Sequence, residues 1–163
     1  MSNGAPLDPE RLLQTLSRHG VAYVLIGALA ARLQGFPRLT ADADITPARN
    51  PENLEKLAAA LRELDARVYT ESVPEGLPFD CSAETLARAD LWNLVTAAGR
   101  LDVAFTPSGT GGFDDLRSGA VRFDVFGVEI GCVPLLVDFG VAPELRVDWN
   151  LDQPITSPLW FWA

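Results

Sequence analysis

The chain has 163 residues, of which 48% are apolar and 21% charged, with a net charge of -9. These values are typical of one globular domain with its own core, and the acidic balance does not favour nucleic acid as a partner on bulk electrostatics. Two cysteines and one histidine are too few for a zinc site built from Cys and His. Reduced thiols, a polar N-terminus and the lack of any membrane-length apolar stretch predict a cytoplasmic protein that does not contact a membrane.

Two helices in the first half have clear start signals. Asp-Pro-Glu at residues 8–10 and Asn-Pro-Glu at residues 50–52 each supply a capping side chain, a proline at the first helical position and an acid in the first turn. Between them, residues 21–26 predict a buried strand and residues 41–46 predict a second strand. A helix of small residues is predicted directly after Gly27.

Strand patterns dominate the second half of the chain. In order, the sequence predicts a short strand (68–70), a loop rich in proline and glycine (72–82), a helical turn (84–89), a hairpin (91–96 and 101–105), a short helix (113–118) and a second hairpin (121–126 and 128–133). This order supports a single α/β (α+β) domain in which helices cover a mixed sheet. We predict that the domain spans residues 1–139 and that residues 140–163 form an irregular tail rich in proline and tryptophan.

Three aspartates have the pattern of a metal site. Asp42 and Asp44 are separated by one residue, so they point to the same face of the predicted strand, where like charges repel unless a cation lies between them. Asp102 lies inside an apolar strand, where a carboxylate is costly to bury. If the two strands are neighbours, the three acids converge on a site for one or two Mg²⁺ ions. The alternatives are a solvated strand end for Asp42 and Asp44 and a strand with one hydrated face for Asp102.

In combination these features resemble the nucleotidyltransferase superfamily of the DNA polymerase beta type. Members carry a small-residue pair between a strand and a helix, an Asp-x-Asp on the next strand and a third Asp on a later strand; Gly27-Ala28, Asp42-Ala43-Asp44 and Asp102 match these positions. More narrowly, residues 10–138 are similar to the AbiEii-like toxins of bacterial toxin–antitoxin pairs, which include the mycobacterial nucleotidyltransferase toxins. The resemblance implies a nucleotidyltransferase-like fold.

The resemblance implies transfer of a nucleoside monophosphate from NTP to an acceptor hydroxyl. Asp42 and Asp44 would hold two Mg²⁺ ions, and Asp102 would bind the second metal ion and help to activate the hydroxyl. Backbone N–H groups at Gly27 and Ala28 would bind the terminal phosphates.

Two further residues are candidates for nucleotide binding. Arg38 is predicted either to pair with a phosphate oxygen or to form a surface ion pair, and the two roles are equally favoured. Ser108 either contacts the nucleotide or serves only as a turn former.

The sequence also departs from the family. Ala28 replaces the usual glycine or serine, and no lysine follows Lys56, although relatives carry a lysine and an Arg/Lys-Asp element beyond the second hairpin. Two hypotheses follow. The first is a Mg²⁺-dependent toxin that modifies tRNA and has a cognate antitoxin, with a protein or small-molecule acceptor left open. The second is a catalytically inactive module that binds nucleotide or a partner protein.

Overall fold

The structure is a computed structural model that describes residues 5–36 and 39–134. The predicted tail at residues 140–163 lies outside the described residues. The helices are α1 (Pro9–Arg18), α2 (Gly27–Leu33), α3 (Pro51–Glu63), α4 (Ala83–Leu86) and α5 (Phe113–Ser118). The strands are β1 (Tyr23–Ile26), β2 (Asp42–Pro47), β3 (Arg67–Thr70), β4 (Val73–Leu77), β5 (Leu91–Thr96), β6 (Gly99–Ala104), β7 (Val121–Val125) and β8 (Val128–Cys132).

All the strands named above join one mixed sheet, in the order β4-β3-β5-β6-β2-β1-β8-β7. The β2–β6 and β1–β8 pairs are parallel, and the other neighbouring pairs are antiparallel. Both predicted hairpins are present as β5–β6 and β7–β8. The sheet and its helices confirm the predicted single α+β domain.

The hydrophobic core joins the helices to one face of the central strands. Apolar side chains at a helical spacing on α1 and α3 are fully or almost fully buried, and they share one cluster with two successive residues of β1 and with alternate residues of β2 and β6. The cluster includes Leu12, Leu13, Leu16, Leu25, Ile45, Leu54, Leu57, Leu61, Leu101 and Val103. Because side chains alternate along a strand, the residues between these core positions point to the opposite face of the sheet.

The two predicted helix starts are confirmed by their capping hydrogen bonds. The Asp8 carboxylate accepts from the Arg11 backbone N–H at 3.0 Å. The Asn50 side-chain oxygen accepts from the Asn53 backbone N–H at 2.9 Å. Each cap satisfies a donor that the helix itself leaves without a partner, and such a cap stabilises a helix by about 1 kcal/mol.

The prediction of a loop over residues 72–82 was wrong in part, because Val73–Leu77 forms β4 at the edge of the sheet. Proline is tolerated in an edge strand, since its missing N–H need not serve a neighbour. Gly76 has φ +87°, and a Cβ there would lie 2.5 Å from the Arg67 Cβ. The residues taken as loop signals therefore allow an edge strand to cross closely over its neighbour.

The first predicted hairpin differs from the structure at its turn. The sequence placed the turn at residues 97–100, whereas β6 already begins at Gly99 and pairs there with Thr96. Gly99 has φ +101°, and a Cβ would lie 2.7 Å from the Leu7 Cα. The N-terminal segment thus packs on the hairpin at a position that requires glycine.

Asn53 ties α3 to the ends of the two central strands. Its side-chain oxygen accepts from the Ala22 N–H at 2.7 Å, and its amide nitrogen donates to the carbonyl oxygens of Ala22 at 2.9 Å and Ala48 at 2.8 Å. Ala22 precedes β1 and Ala48 follows β2. The buried amide therefore fixes the relative position of β1, which ends directly before Gly27, and β2, which begins at Asp42.

We predict that Asn53→Ala lowers the free energy of unfolding by about 2 kcal/mol, because a buried polar group left without a partner costs about 1–3 kcal/mol. Urea unfolding measures the change. Glu55→Ala, at an exposed position of the same helix, is the matched control and should change stability by less than about 0.5 kcal/mol. Equal stability losses in the two variants would contradict the assigned role of Asn53.

Candidate active site

The register of the parallel β2–β6 pair brings the predicted acids together. Asp44 pairs with Asp102. Two residues earlier on both strands, Asp42 pairs with Arg100. The intervening pair, Ala43 and Leu101, is fully buried in the core. Asp42, Asp44 and Asp102 therefore share the face of the sheet opposite the core, on neighbouring strands about 4.8 Å apart.

Asp102 lies in an unfavourable electrostatic environment. Burial raises its pKa, and the nearby charge of Asp42 raises it further, while the charge of Arg100 lowers it. One of its oxygens, Oδ1, is buried and has no hydrogen-bond partner among the described residues. A buried oxygen without a donor is costly, and it is available for a cation or a proton.

Asp42 is held at the entry to β2 by Thr40. The Thr40 hydroxyl lies 2.7 Å from the Asp42 carbonyl oxygen and 3.2 Å from Asp42 Oδ1. A threonine side chain that bonds locally in this way fixes the backbone just before a strand. The chain before β2 therefore orients the first carboxylate of the Asp-x-Asp.

Gly27 lies directly against Asp44. Ile26 pairs with Asp44 across β1 and β2, and Gly27 follows it with φ +70° as the first residue of α2. A Cβ on residue 27 would lie 2.2 Å from Asp44 Oδ2. The glycine is therefore required both by the backbone conformation and by the carboxylate beside it. No side chain caps the start of α2, and Ala28 is half-buried in its first turn.

Of the other two predicted nucleotide contacts, Ser108 is not among the groups that the β2–β6 pairing brings together. Ser108 is exposed in the turn after β6, where Thr110 donates to the Pro107 carbonyl at 2.8 Å. Within the described residues, Ser108 makes no hydrogen bond to the three acids, and its nucleotide contact stays a prediction. Arg38 lies outside the described residues.

The sequence analysis missed Arg100 and Asn93, which share the face of the acids. Asn93 on β5 pairs with Asp102, and the Arg100 guanidinium lies 4.0 Å from the centre of the Tyr69 ring. The spacing of two residues between Arg100 and Asp102 on one strand is a signal that predicts a shared face. The contact with Tyr69 has no such signal, because it depends on the order of strands β3, β5 and β6.

The acids fit a magnesium ion that is shared with a substrate. Across residues 5–36 and 39–134, no group of three or more His, Cys, Asp or Glu side chains is arranged to hold a metal ion. Mg²⁺ is commonly held by one or two carboxylates together with substrate phosphates rather than by a complete protein cage. The adjacent Asp44 and Asp102, with the partnerless oxygen of Asp102, have the chemistry for that arrangement.

The three acids are half-buried on the face of the sheet opposite the core. Two surface cavities, of 470 Å³ and 690 Å³, lie elsewhere, and the larger one is lined by residues at the far ends of β2 and β6, including Pro47 and Phe105. Neither cavity is lined by the three aspartates. Among the helices described, none has the length and apolar character needed to cross a membrane.

No protein-family model and no curated protein matches the chain. Among solved structures, the chain is similar to the "putative nucleotidyltransferase (TM1012) from Thermotoga maritima", with 17% sequence identity, a TM-score of 0.51 and coverage of 85% of each chain. At this identity the likeness is one of fold. The chain therefore has a nucleotidyltransferase-like fold, as the sequence predicted.

We predict that Gly27→Ala destabilises the protein more than Gly127→Ala does. Both glycines have positive φ, +70° and +75°, so both substitutions carry a backbone cost of about 1–2 kcal/mol. Only Gly27→Ala also forces Asp44 to move, since no atom of the described residues lies within 4 Å of a Cβ at Gly127. We expect a further loss of about 1–2 kcal/mol in urea unfolding, in the range of an overpacked site. Adding Asp44→Ala to Gly27→Ala should recover part of this extra loss of stability. If the effects of the two substitutions simply add, the contact between residue 27 and Asp44 is contradicted.

We predict that Asp102→Asn stabilises the folded protein at pH 7. Because the folded-state pKa of Asp102 is raised, ionisation costs stability; this cost is fully present above the folded-state pKa and disappears as the pH falls below the ordinary value of 3.8. Unfolding free energies of wild type and variant measured against pH should therefore converge in acid. Asp124→Asn, at an exposed position of β7, is the control. Parallel curves for wild type and Asp102→Asn would contradict the prediction.

Proposed function

We propose that the chain is a Mg²⁺-dependent nucleotidyltransferase that transfers a nucleoside monophosphate from NTP to an acceptor hydroxyl. The observation that carries this proposal is the direct pairing of Asp44 with Asp102 on parallel strands, on the face opposite the core of a nucleotidyltransferase-like fold. Like charges on neighbouring carboxylates repel, and a bound cation would offset this repulsion. Asp42 is the third acid of the proposed site.

In the proposed reaction, the acceptor oxygen attacks the α-phosphorus and forms a new P–O bond. The bond between the α-phosphorus and its bridging oxygen breaks, and pyrophosphate leaves. Asp102 is the proposed acceptor of the hydroxyl proton. Asp42 and Asp44 are the proposed metal ligands, with Asp102 as a further ligand. Bound Mg²⁺ would supply charge neutralisation at the phosphates.

The phosphates of NTP are proposed to lie at the start of α2. The backbone N–H groups of Gly27 and Ala28 are the proposed donors, and the glycine at position 27 lets the Asp44 carboxylate lie directly beside them. Arg38 and Ser108 remain proposed contacts of the nucleotide. Because Ala28 has no hydroxyl, the hydrogen bonds to the phosphates at this position are proposed to come from backbone N–H groups alone.

The biological role rests on the sequence resemblance alone. Similarity to the AbiEii-like toxins supports a toxin that acts in the cytoplasm on the 3′ end of tRNA and has a cognate antitoxin. The net charge of -9 means that such an acceptor must be bound through local cationic residues rather than through the overall field. A protein hydroxyl or a small molecule is the alternative acceptor.

We predict that the protein transfers label from at least one α-³²P-labelled NTP to tRNA in the presence of Mg²⁺. Asp44→Asn and Asp102→Asn should each lower the rate about 100-fold or more, the loss typical of removing one group that stabilises charge in a transition state. EDTA should abolish transfer. Asp124→Asn is the matched control, because it removes a carboxylate from the exposed surface of β7, and it should retain the wild-type rate.

Other outcomes have distinct meanings. Label on the protein, lost in Asp44→Asn, would keep the nucleotidyltransferase proposal and replace tRNA with a protein acceptor. Folded protein that binds NTP but transfers no label to any acceptor would contradict the enzyme. It would instead support the catalytically inactive nucleotide-binding module.

A further inference from the structure

Arg100 is a cation beside the acids. It pairs in register with Asp42 and lies two residues before Asp102 on the same face of β6. Nevertheless, none of the ion pairs found within the described part of the chain includes Arg100. Its Nε is buried and has no hydrogen-bond partner among the described residues. A guanidinium next to carboxylates commonly forms charge-assisted hydrogen bonds with them.

Tyr69 accounts for the position of the guanidinium. The strand order β3-β5-β6 puts β5 between the two residues, and the Arg100 side chain reaches across this strand to lie 4.0 Å from the ring centre. A cation–π contact of this kind stabilises the position of a guanidinium over the ring. The contact directs the cation away from Asp42 and Asp102 and towards the β3 side of this face.

The sheet order places the acids between two binding elements. Gly27 and the start of α2 follow β1 on one side of Asp44, and the Arg100–Tyr69 pair lies on the other side, towards β5 and β3. In an in-line displacement the attacking and leaving oxygens lie on opposite sides of the phosphorus. If the terminal phosphates lie at α2, as in the proposed function, the acceptor approaches from the side of Arg100.

We propose that Arg100 binds a backbone phosphate of a nucleic-acid acceptor and that Tyr69 is the positioning residue that holds its guanidinium. The remaining N–H donors of Arg100 suit the tetrahedral oxygens of a phosphodiester, which a guanidinium binds through paired hydrogen bonds. Tyr69 acts through Arg100 and does not itself contact the acceptor. This inference rests on the proposed function for its geometry, and it names the substrate class as one that carries phosphates next to the reacting hydroxyl.

The first test measures binding without transfer. A fluorescein-labelled single-stranded oligoribonucleotide with a free 3′ hydroxyl is titrated with wild-type protein in EDTA at several salt concentrations. For single strands, each phosphate contact contributes about 0.7 to the slope of log K against log salt. Arg100→Gln should reduce the slope by about this amount and weaken binding about tenfold, whereas Arg122→Gln on β7 should change neither. No binding by wild type, or an unchanged slope in Arg100→Gln, would overturn the inference.

The second test separates positioning from charge. Tyr69→Leu removes the ring and leaves every charge in place, so it should weaken oligoribonucleotide binding severalfold without changing the salt slope. Tyr69→Phe keeps the ring and should restore wild-type affinity. Failure of the phenylalanine variant to restore binding would overturn the role of Tyr69. Urea unfolding of each variant confirms that the proteins compared are folded.

The third test uses steady-state transfer. Arg100→Gln should raise the KM for the oligoribonucleotide about tenfold and leave the KM for NTP unchanged. A rise only in the KM for NTP would place Arg100 on the nucleotide and overturn the inference. Absence of transfer by wild type, combined with salt-dependent binding that needs Arg100, would contradict the proposed enzyme and leave the acceptor site standing. The two failures are therefore distinguishable.

Discussion

The parallel pairing of β2 with β6 is the constraint on which the candidate site depends. It sets Asp44 opposite Asp102, and it sets Ala43 and Ile45 opposite Leu101 and Val103. A shift of one residue would bury the aspartates in the core and expose the apolar pairs. The same burial that stabilises the sheet therefore forces the carboxylates together on the other face. Core packing fixes the register, and repulsion between the neighbouring carboxylates is the result.

The electrostatic cost is concentrated at one residue. Burial raises the pKa of Asp102, and one of its buried oxygens has no partner among the described residues, while Arg100 on the same strand is directed to Tyr69. An arrangement optimised for stability alone would pair Arg100 with a carboxylate. Keeping the two charges apart leaves both of them able to bind a ligand, which is the usual pattern where stability is lost for function.

Local signals in the sequence predicted the elements well, and the contacts between them less well. The caps at Asp8 and Asn50 and the alternation around Asp44 are local, so they could be read directly. Strand β4 was missed because Pro74 and Gly76 are typical of loops, and only its position at the sheet edge makes them acceptable. Whether β2 and β6 are neighbours depends on packing between segments that are far apart in the sequence. The metal-site hypothesis could therefore only assume that these strands pair.

The two sides of the Asp44–Asp102 pair differ in structure: the backbone of α2 lies on one side, and side chains from β3 and β6 lie on the other. On the α2 side, the missing Cβ of Gly27 lets the Asp44 carboxylate lie against the backbone at the start of the helix. On the β3 side, Tyr69 and Arg100 provide a fixed cation through side chains from strands that are not adjacent. The proposed transfer joins two phosphate-bearing molecules at one α-phosphorus, so it would use two such elements with different geometry. One would bind a compact triphosphate close to the backbone, and the other would bind an extended chain across the face of the sheet.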